Sequence, residues 1–317
     1  MKKIFIFLLA CLLFSVYSFA VNTGADFLKI AVGARAAGLG NTFTAVANDV
    51  TAINWNPGGL FQLKQKEISA MHTQWVGDSR FDFLGFALPL SGKAPSVSAR
   101  RVKDIFGASI IYLSQGEMEG RDENRKNTGS FSASDIAVAF SYCRQVKVNG
   151  HQVGFGTNVK LINQKIESEQ ATGAAFDFGV LTNLPFKSNR LTLGLSLQNL
   201  GSQMKFISEE YNLPLSVTAG LGYSVGGVTI GLDIKQQVYE NKTIVSLGTE
   251  FLPINALALR AGYVMSAGRQ AAASDDGLPM GLGAGIGFRL FSYQTDYSFV
   301  PYGALGDTHR ISFLSRF

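Results

Sequence analysis

The chain has 317 residues, 46% hydrophobic and only 16% charged, with 35 glycines, 8 prolines and 2 cysteines. Charge this low beside abundant aromatics excludes intrinsic disorder, and eight prolines exclude a collagen-like fibre. Two cysteines exclude a disulfide scaffold or a multi-cysteine metal centre, and a net charge of +5 without a basic cluster makes no case for nucleic acid.

Residues 1–20 read as an export signal peptide. Lys2 and Lys3 give a basic start, Ile4 to Phe19 an apolar run, and Ser18 and Ala20 the small residues of a cleavage site near Ala20. Cys11 after Leu8-Leu9-Ala10 loosely resembles a lipoprotein box, but the apolar run before it is short. Beyond residue 20 no apolar stretch approaches the ~18 residues of a spanning helix.

Residues 21–62 do not alternate. Ala34, Ala36, Ala37, Gly38 and Gly40 form a small-residue run, and Asp49 to Asn54 predicts a short helix that Pro57 stops. A glycine-rich segment of this kind predicts a hatch, or plug, inside a barrel. Trp55, beside the Asn56-Pro57-Gly58 turn, either lines a channel for apolar ligands or packs the hatch against the wall.

From residue 63 to 317 the pattern changes to period two. Ile136, Val138, Phe140 and Tyr142 alternate with Ala137, Ala139, Ser141 and Cys143; Leu191, Leu193, Leu195 and Leu197 alternate with Thr192, Gly194, Ser196 and Gln198. A soluble sandwich also alternates, but keeps many charges on its outer face. Here the second face is small or polar with isolated charges, which suits a lumen, and the bulky face suits lipid. About fourteen strands fit between the turn signals, centred near residues 71, 85, 110, 137, 158, 176, 195, 219, 232, 247, 261, 285, 296 and 313. The expectation is an all-β, closed antiparallel transmembrane β-barrel carrying a short N-terminal helical plug.

Gly226-Gly227 and Pro253-Ile254-Asn255 read as short periplasmic turns; Gly116 to Ser130 and Ser266 to Pro279 read as long extracellular excursions. Seven charges fall on the lumen face: Lys160, Asp177, Asp233, Lys235, Glu250, Arg260 and Asp296. Both signs occur, so they suit a network that stiffens the wall better than a selectivity filter. A charge placed on the outward face should cost more than one on the inward face, as at Val159 against Asn158. The last strand ends on Phe317, in register with Ile311 and Phe313, as an assembly signal would.

Enzymatic signals are decoys. Gly222-Tyr223-Ser224-Val225-Gly226 matches a nucleophile elbow, with Asp233 and His309 downstream, but it lies between two alternating runs and not on a strand-to-helix turn. His72, His151 and His309 are too far apart to suggest a metal site, and Asp275-Asp276-Gly277 reads as a polar turn. No cofactor is expected.

The stretch FLKIAVGARAAGLGNTFTAVANDVTAINWNPGGL resembles the N-terminal signature of the PorV/PorQ family, kin of uncharacterised spirochaete barrels. Asn56-Pro57-Gly58-Gly59-Leu60 resembles the asparagine-proline-alanine-glycine motif shared with FadL-type channels, with Gly58 in place of alanine. LPLSVTAGLGYS, LGTEFLPINALALRAGY and YQTDYSFVPYGALGDTHRISF extend the resemblance over nearly the whole mature chain. It implies a fourteen-stranded FadL-like barrel in the bacterial outer membrane, in contact with lipid and with the barrel assembly machinery. Two roles follow from it: a component associated with type IX secretion, whose partners are exported proteins, or a channel that binds a lipophilic small molecule and releases it sideways through the wall.

Overall fold

Alternation becomes strand throughout, and every barrel strand pairs with its neighbours through antiparallel ladders. A computed structural model describes residues 23–91, 103–184, 191–266 and 281–317. The signal peptide, Cys11 and the Asp275-Asp276-Gly277 turn lie outside the described residues. The first half of the barrel holds β1 (Glu67–Gln74), β2 (Arg80–Ser91), β3 (Lys103–Arg121), β4 (Asn127–Val148), β5 (His151–Ile166), β6 (Glu169–Leu184) and β7 (Leu191–Gly201). A small hairpin, β8 (Met204–Phe206) and β9 (Glu209–Tyr211), stands apart from the wall. The second half holds β10 (Ser216–Val225), β11 (Val228–Gln237), β12 (Lys242–Ile254), β13 (Leu257–Ser266), β14 (Leu282–Leu290), β15 (Tyr293–Pro301) and β16 (Asp307–Arg316). Pairing of β16 with β1, from Glu67 opposite Arg316 to Gln74 opposite His309, closes a fourteen-stranded barrel. Closure leaves no free edge strand, so the paired backbone groups of the described strands are satisfied within the wall, as a hydrocarbon surrounding demands.

The two faces of the wall reverse the arrangement of a soluble protein. Phe106, Phe140, Val159, Leu195, Leu247 and Phe288 stand exposed on the outside, whereas Asn158, Asp177, Asp233, Glu250, Arg260 and Asp296 are buried inside. An apolar belt with a polar interior is stable only where the outer solvent is lipid. The rule that the inner face is small breaks down in β1 to β3. There Met71, Phe81, Phe83, Ile111 and Leu113 also point inward, where they pack on Phe27 and Val32 of the N-terminal segment.

Two of the sequence expectations need correction. Gly116 to Ser130 is mostly strand: β3 and β4 run on past the last residues that pair with β2 and β5, Ser114 and Ala133, and form a free-standing hairpin. The two strands satisfy each other's backbone across this hairpin, and Asp122 accepts from the N–H groups of Asn124 and Lys126 at its tip (2.9 and 2.8 Å). The predicted helix over Asp49–Asn54 becomes α2, Ala52–Trp55, because Asp49 to Thr51 form a turn ahead of it, in which the Asp49 carboxylate accepts from Thr51 N (3.0 Å).

The plug fills the lumen. It runs through a 3-10 turn at Asp26–Lys29, helix α1 (Ala34–Gly38), α2 and a second 3-10 turn at Pro57–Gln62. Phe43, Val50, Ile53, Trp55, Leu60 and Phe61 share one apolar core with Ala87, Ile105, Leu181 and Leu314 of the wall. Its first residues lie at the far end of the barrel from Glu67, where Gly24 N donates to Asn212 O at 2.9 Å.

Candidate functional site

The Asn56-Pro57-Gly58 turn is pressed into the wall. Asn56 is fully buried; its Nδ2 donates to Thr44 O (2.8 Å) in the plug and to Val180 O (3.1 Å) in β6, and its Oδ1 accepts from Gly58 N (3.1 Å). Gly156 of β5 and Gly179 of β6 form the seat. A methyl group added to either would overlap Pro57 or Asn56. Glycines on the inner face therefore let two backbones touch, where a water-filled lumen would have needed none.

Around this wedge, charged groups fasten plug to wall. Arg35 of α1 donates from Nε and Nη2 to the two oxygens of Glu250 on β12, both at 2.9 Å, and from Nη1 to Asp49 (2.9 Å) and Asn48 (2.5 Å). Glu250 is shared with Arg260 on β13 (2.7 Å), which in turn holds Asp296 on β15 (2.8 Å). Asp233 of β11 accepts the N–H groups of Phe43 and Thr44 (2.9 and 2.8 Å). Lys160 of β5 pairs with Asp177 of β6 (2.8 Å), whose other contacts are Asn158 and the Asn199 N–H. Lys235 stands over the ring of Trp55, 5.8 Å from its centroid, and the indole N–H of Trp55 donates to Val32 O (2.9 Å).

These contacts do more than stiffen the wall, because Arg35, Asp49 and the backbone of Phe43–Thr44 all belong to the plug. Arg35 was open to sequence reasoning as the lone charge between Lys29 and Asp49 in an alanine- and glycine-rich stretch. Glu67 gave no such signal; it accepts from Val50 N and from Arg316 at 2.9 Å, tying α2's approach to the last strand. Phe317 adds a second tie there. It exchanges backbone hydrogen bonds with Lys66 (3.0 and 3.2 Å) and stacks on Phe86 at 6.5 Å between centroids.

One ladder of the wall is shorter than its two strands. Pairing of β14 with β15 stops at Ala284–Phe299, although Leu282 and Gly283 continue one strand and Val300 and Pro301 the other. Amide directions alternate along a strand, and Tyr302 N donates to Gly306 O on the β16 side. Position 301 therefore faces β14, where proline has no N–H to offer. A cavity of about 440 Å³ opens at this point. Ala37, Gly40 and Asn41 of the plug floor it; Val264 and Val300 line it from the inner face, Tyr263, Met265 and Leu282 from the outer. Residues of both faces of the wall therefore border it. Asn41 and Tyr302 also border a shallower cavity of about 350 Å³ at the far mouth, beside Trp75 and Leu113. Trp55 and the Asn56-Pro57-Gly58 turn do not line the larger cavity; Trp55 lines a much smaller one of about 30 Å³.

The hydrolase decoy does not assemble. Ser224 lies at the end of β10 and shares a hydrogen bond with Thr229 across the hairpin (2.9 Å), Asp233 is committed to the plug, and His309 contacts Tyr297 (2.7 Å) on the outer surface. Among the described residues no cluster of three or more His, Cys, Asp or Glu could hold a metal ion.

Solved β-barrels share this fold. The TodX monoaromatic hydrocarbon channel, in its deltaS2S3 mutant, superposes with a TM-score of 0.58 at 14% identity, covering 90% of this chain and 99% of that one. The CymD monoaromatic hydrocarbon channel gives 0.60 at 11% identity over 90% and 98%. A Pseudomonas aeruginosa FadL homologue gives 0.55 at 11% identity over 95% and 100%. At such identities the likeness is one of fold. In sequence, a UPF0164 protein of Treponema pallidum (strain Nichols) is 24% identical over 282 residues, which is 84% of this chain and 62% of that relative's length. The model of the uncharacterised protein family UPF0164 matches residues 21–313, from the plug to the last strand, and the chain belongs to that family.

Proposed function

We propose that this protein is a non-enzymatic outer-membrane channel for small hydrophobic molecules, which pass between the far mouth and the membrane through the gap between β14 and β15. The observation that carries the reading is the cavity of about 440 Å³, bordered by residues of both wall faces beside Pro301, just past the last β14–β15 pair. Its lining carries no charged side chain, and its volume falls in the ~300–1,000 Å³ range of small-molecule sites. The plug floors the cavity and occupies the lumen beneath it, so a sideways route needs no movement of the plug. Neighbours in fold that are named as hydrocarbon channels support the same class of cargo.

The test is binding of a neutral aromatic such as naphthalene to the detergent-purified protein, with Val300→Trp as the blocking variant. Saturable binding that weakens at least tenfold in the variant is the expected result. Equal binding by both proteins would refute the route.

A second reading, association with type IX secretion through exported protein partners, rests on the PorV/PorQ resemblance and on one structural feature. The free-standing β3–β4 hairpin carries Glu119, Arg121, Asp122 and Arg125 clear of the rim, where another protein can reach them. Deleting residues 117–130 separates the two: naphthalene binding survives under the channel reading, and co-purification of exported protein is lost under the other.

A further inference from the structure

We propose that Asn41 selects the cargo of the channel, favouring an aromatic molecule that carries one hydrogen-bonding oxygen, such as an aryl ketone, over a hydrocarbon of the same shape; the selection rests on the channel reading. Asn41 and Tyr302 are the two residues that border both the cavity beside Pro301 and the cavity at the far mouth. A molecule that travels from the mouth to the gap therefore passes them. The other polar side chains of the two linings are committed, enclosed or confined to one end. Asp26 and Lys29 pair at 2.7 Å, and Lys29 also holds Glu240. The Ser266 hydroxyl is buried, Trp75 borders the mouth alone, and Tyr263 stands on the outer face.

Asn41 is half-buried, and its side-chain amide makes no hydrogen bond among the described residues, yet neither amide atom is enclosed. Its donor and its acceptor both keep surface that a passing molecule can reach. The backbone explains why the residue stands here but not why its amide is left free. Its φ of 62° is left-handed, a conformation that glycine and asparagine tolerate best, and its N–H closes the end of α1 on Ala36 O (2.9 Å). Glycine at this position would serve the turn equally well.

Tyr302 presents a fixed ring on the same path. Its hydroxyl accepts from Nη2 of Arg310 (3.1 Å), and its ring meets Trp75 edge to face at 5.0 Å between centroids. The Arg310 guanidinium, 1% exposed, lies 5.2 Å from the Trp75 centroid and so braces both aromatics. A flat aromatic cargo can pack against a ring so held. An oxygen on that cargo can accept from the Asn41 Nδ2–H, whereas a hydrocarbon strips water from the amide and gives nothing in return. A site that bonds an oxygen discriminates against the analogue that lacks it.

The experiment compares 2-acetylnaphthalene with 2-ethylnaphthalene, which share a shape and differ in one carbonyl, as competitors for naphthalene on the full-length, detergent-purified protein. The ratio of the two affinities is compared between proteins, because it cancels partitioning into detergent and any general loosening of the site. The preference for the ketone is expected to fall at least fivefold in Asn41→Gly, which keeps the turn. It should fall at least as far in Asn41→Asp, which when ionised accepts but cannot donate. Heat-modifiable migration checks that each variant is folded. An unchanged ratio in folded Asn41→Gly, including equal loss of both ligands, would overturn the selection and leave the channel reading in place wherever naphthalene still binds the unaltered protein. Failure of naphthalene to bind the unaltered protein would instead remove the channel reading, and the selection with it.

Discussion

Replacing Arg35 by methionine tests whether the charge network holds the plug. The guanidinium is 9% exposed and makes four hydrogen bonds, two of them to Glu250 in a fork-to-fork pair. Methionine matches much of its length but removes the charge, leaving Asp49 with only its Thr51 contacts and Glu250 with Arg260. Removing one partner of a buried ion pair costs about 3–5 kcal/mol. Arg260 still compensates Glu250, so the lower end, about 3 kcal/mol, applies, and that corresponds to roughly a hundredfold rise in plug opening. Hydrogen exchange on the detergent-solubilised protein reads this directly. Amides of residues 34–59 should exchange about a hundredfold faster, at unchanged protection in β4, β5 and β6. Unchanged exchange in the plug would refute the argument. So would an equal rise in the strands, since the network would then belong to the wall alone.

Val159→Arg, on the outer face near mid-wall, should cost about 2–4 kcal/mol in barrel stability, measured by denaturant titration in lipid. Asn158→Arg will not be the mild counterpart that its inward position suggests: Asn158 is fully buried and donates to Ile53 O and Asp177 at 2.7 Å, so unseating of the plug is expected by protease sensitivity near residue 53. Deleting Phe317 removes the Lys66 backbone exchange and the Phe86 stack, and should slow assembly enough to lower the heat-modifiable fraction in the membrane. At the far end, burial opposes the charge of Glu240, but hydrogen bonds from Lys29 and Thr23 outweigh it and hold the carboxyl below its ordinary value of 4.5. A depressed carboxylate stabilises above its unfolded pKa and loses that contribution as pH falls through the folded one. The Asp26–Lys29 turn should thus stay protected from exchange near neutrality and become labile in acid below about 4.5. An unchanged exchange profile down to pH 3 would show that the tether carries no weight.

Period-two alternation reports the direction of each side chain from two neighbouring residues, so the strands, their number and the lipid-facing side of most of them were legible without any tertiary information. The same local rule could not tell a water-filled lumen from one packed with its own N-terminus. Glycines such as Gly156 and Gly179 look alike in either case until Pro57 is known to lie on them. Nor could it pair the charges: Arg35 and Glu250 are 215 positions apart and meet only because β16 returns to β1 and closes the wall around the plug. The gap beside Pro301 belongs to the same class. A proline at a strand end is unremarkable by itself, and it becomes an opening only when closure points its missing N–H at β14 and places a cavity behind it. Direction along a strand is a local property of the backbone, whereas contact across a lumen is set by which distant segments the closed ladder brings opposite each other.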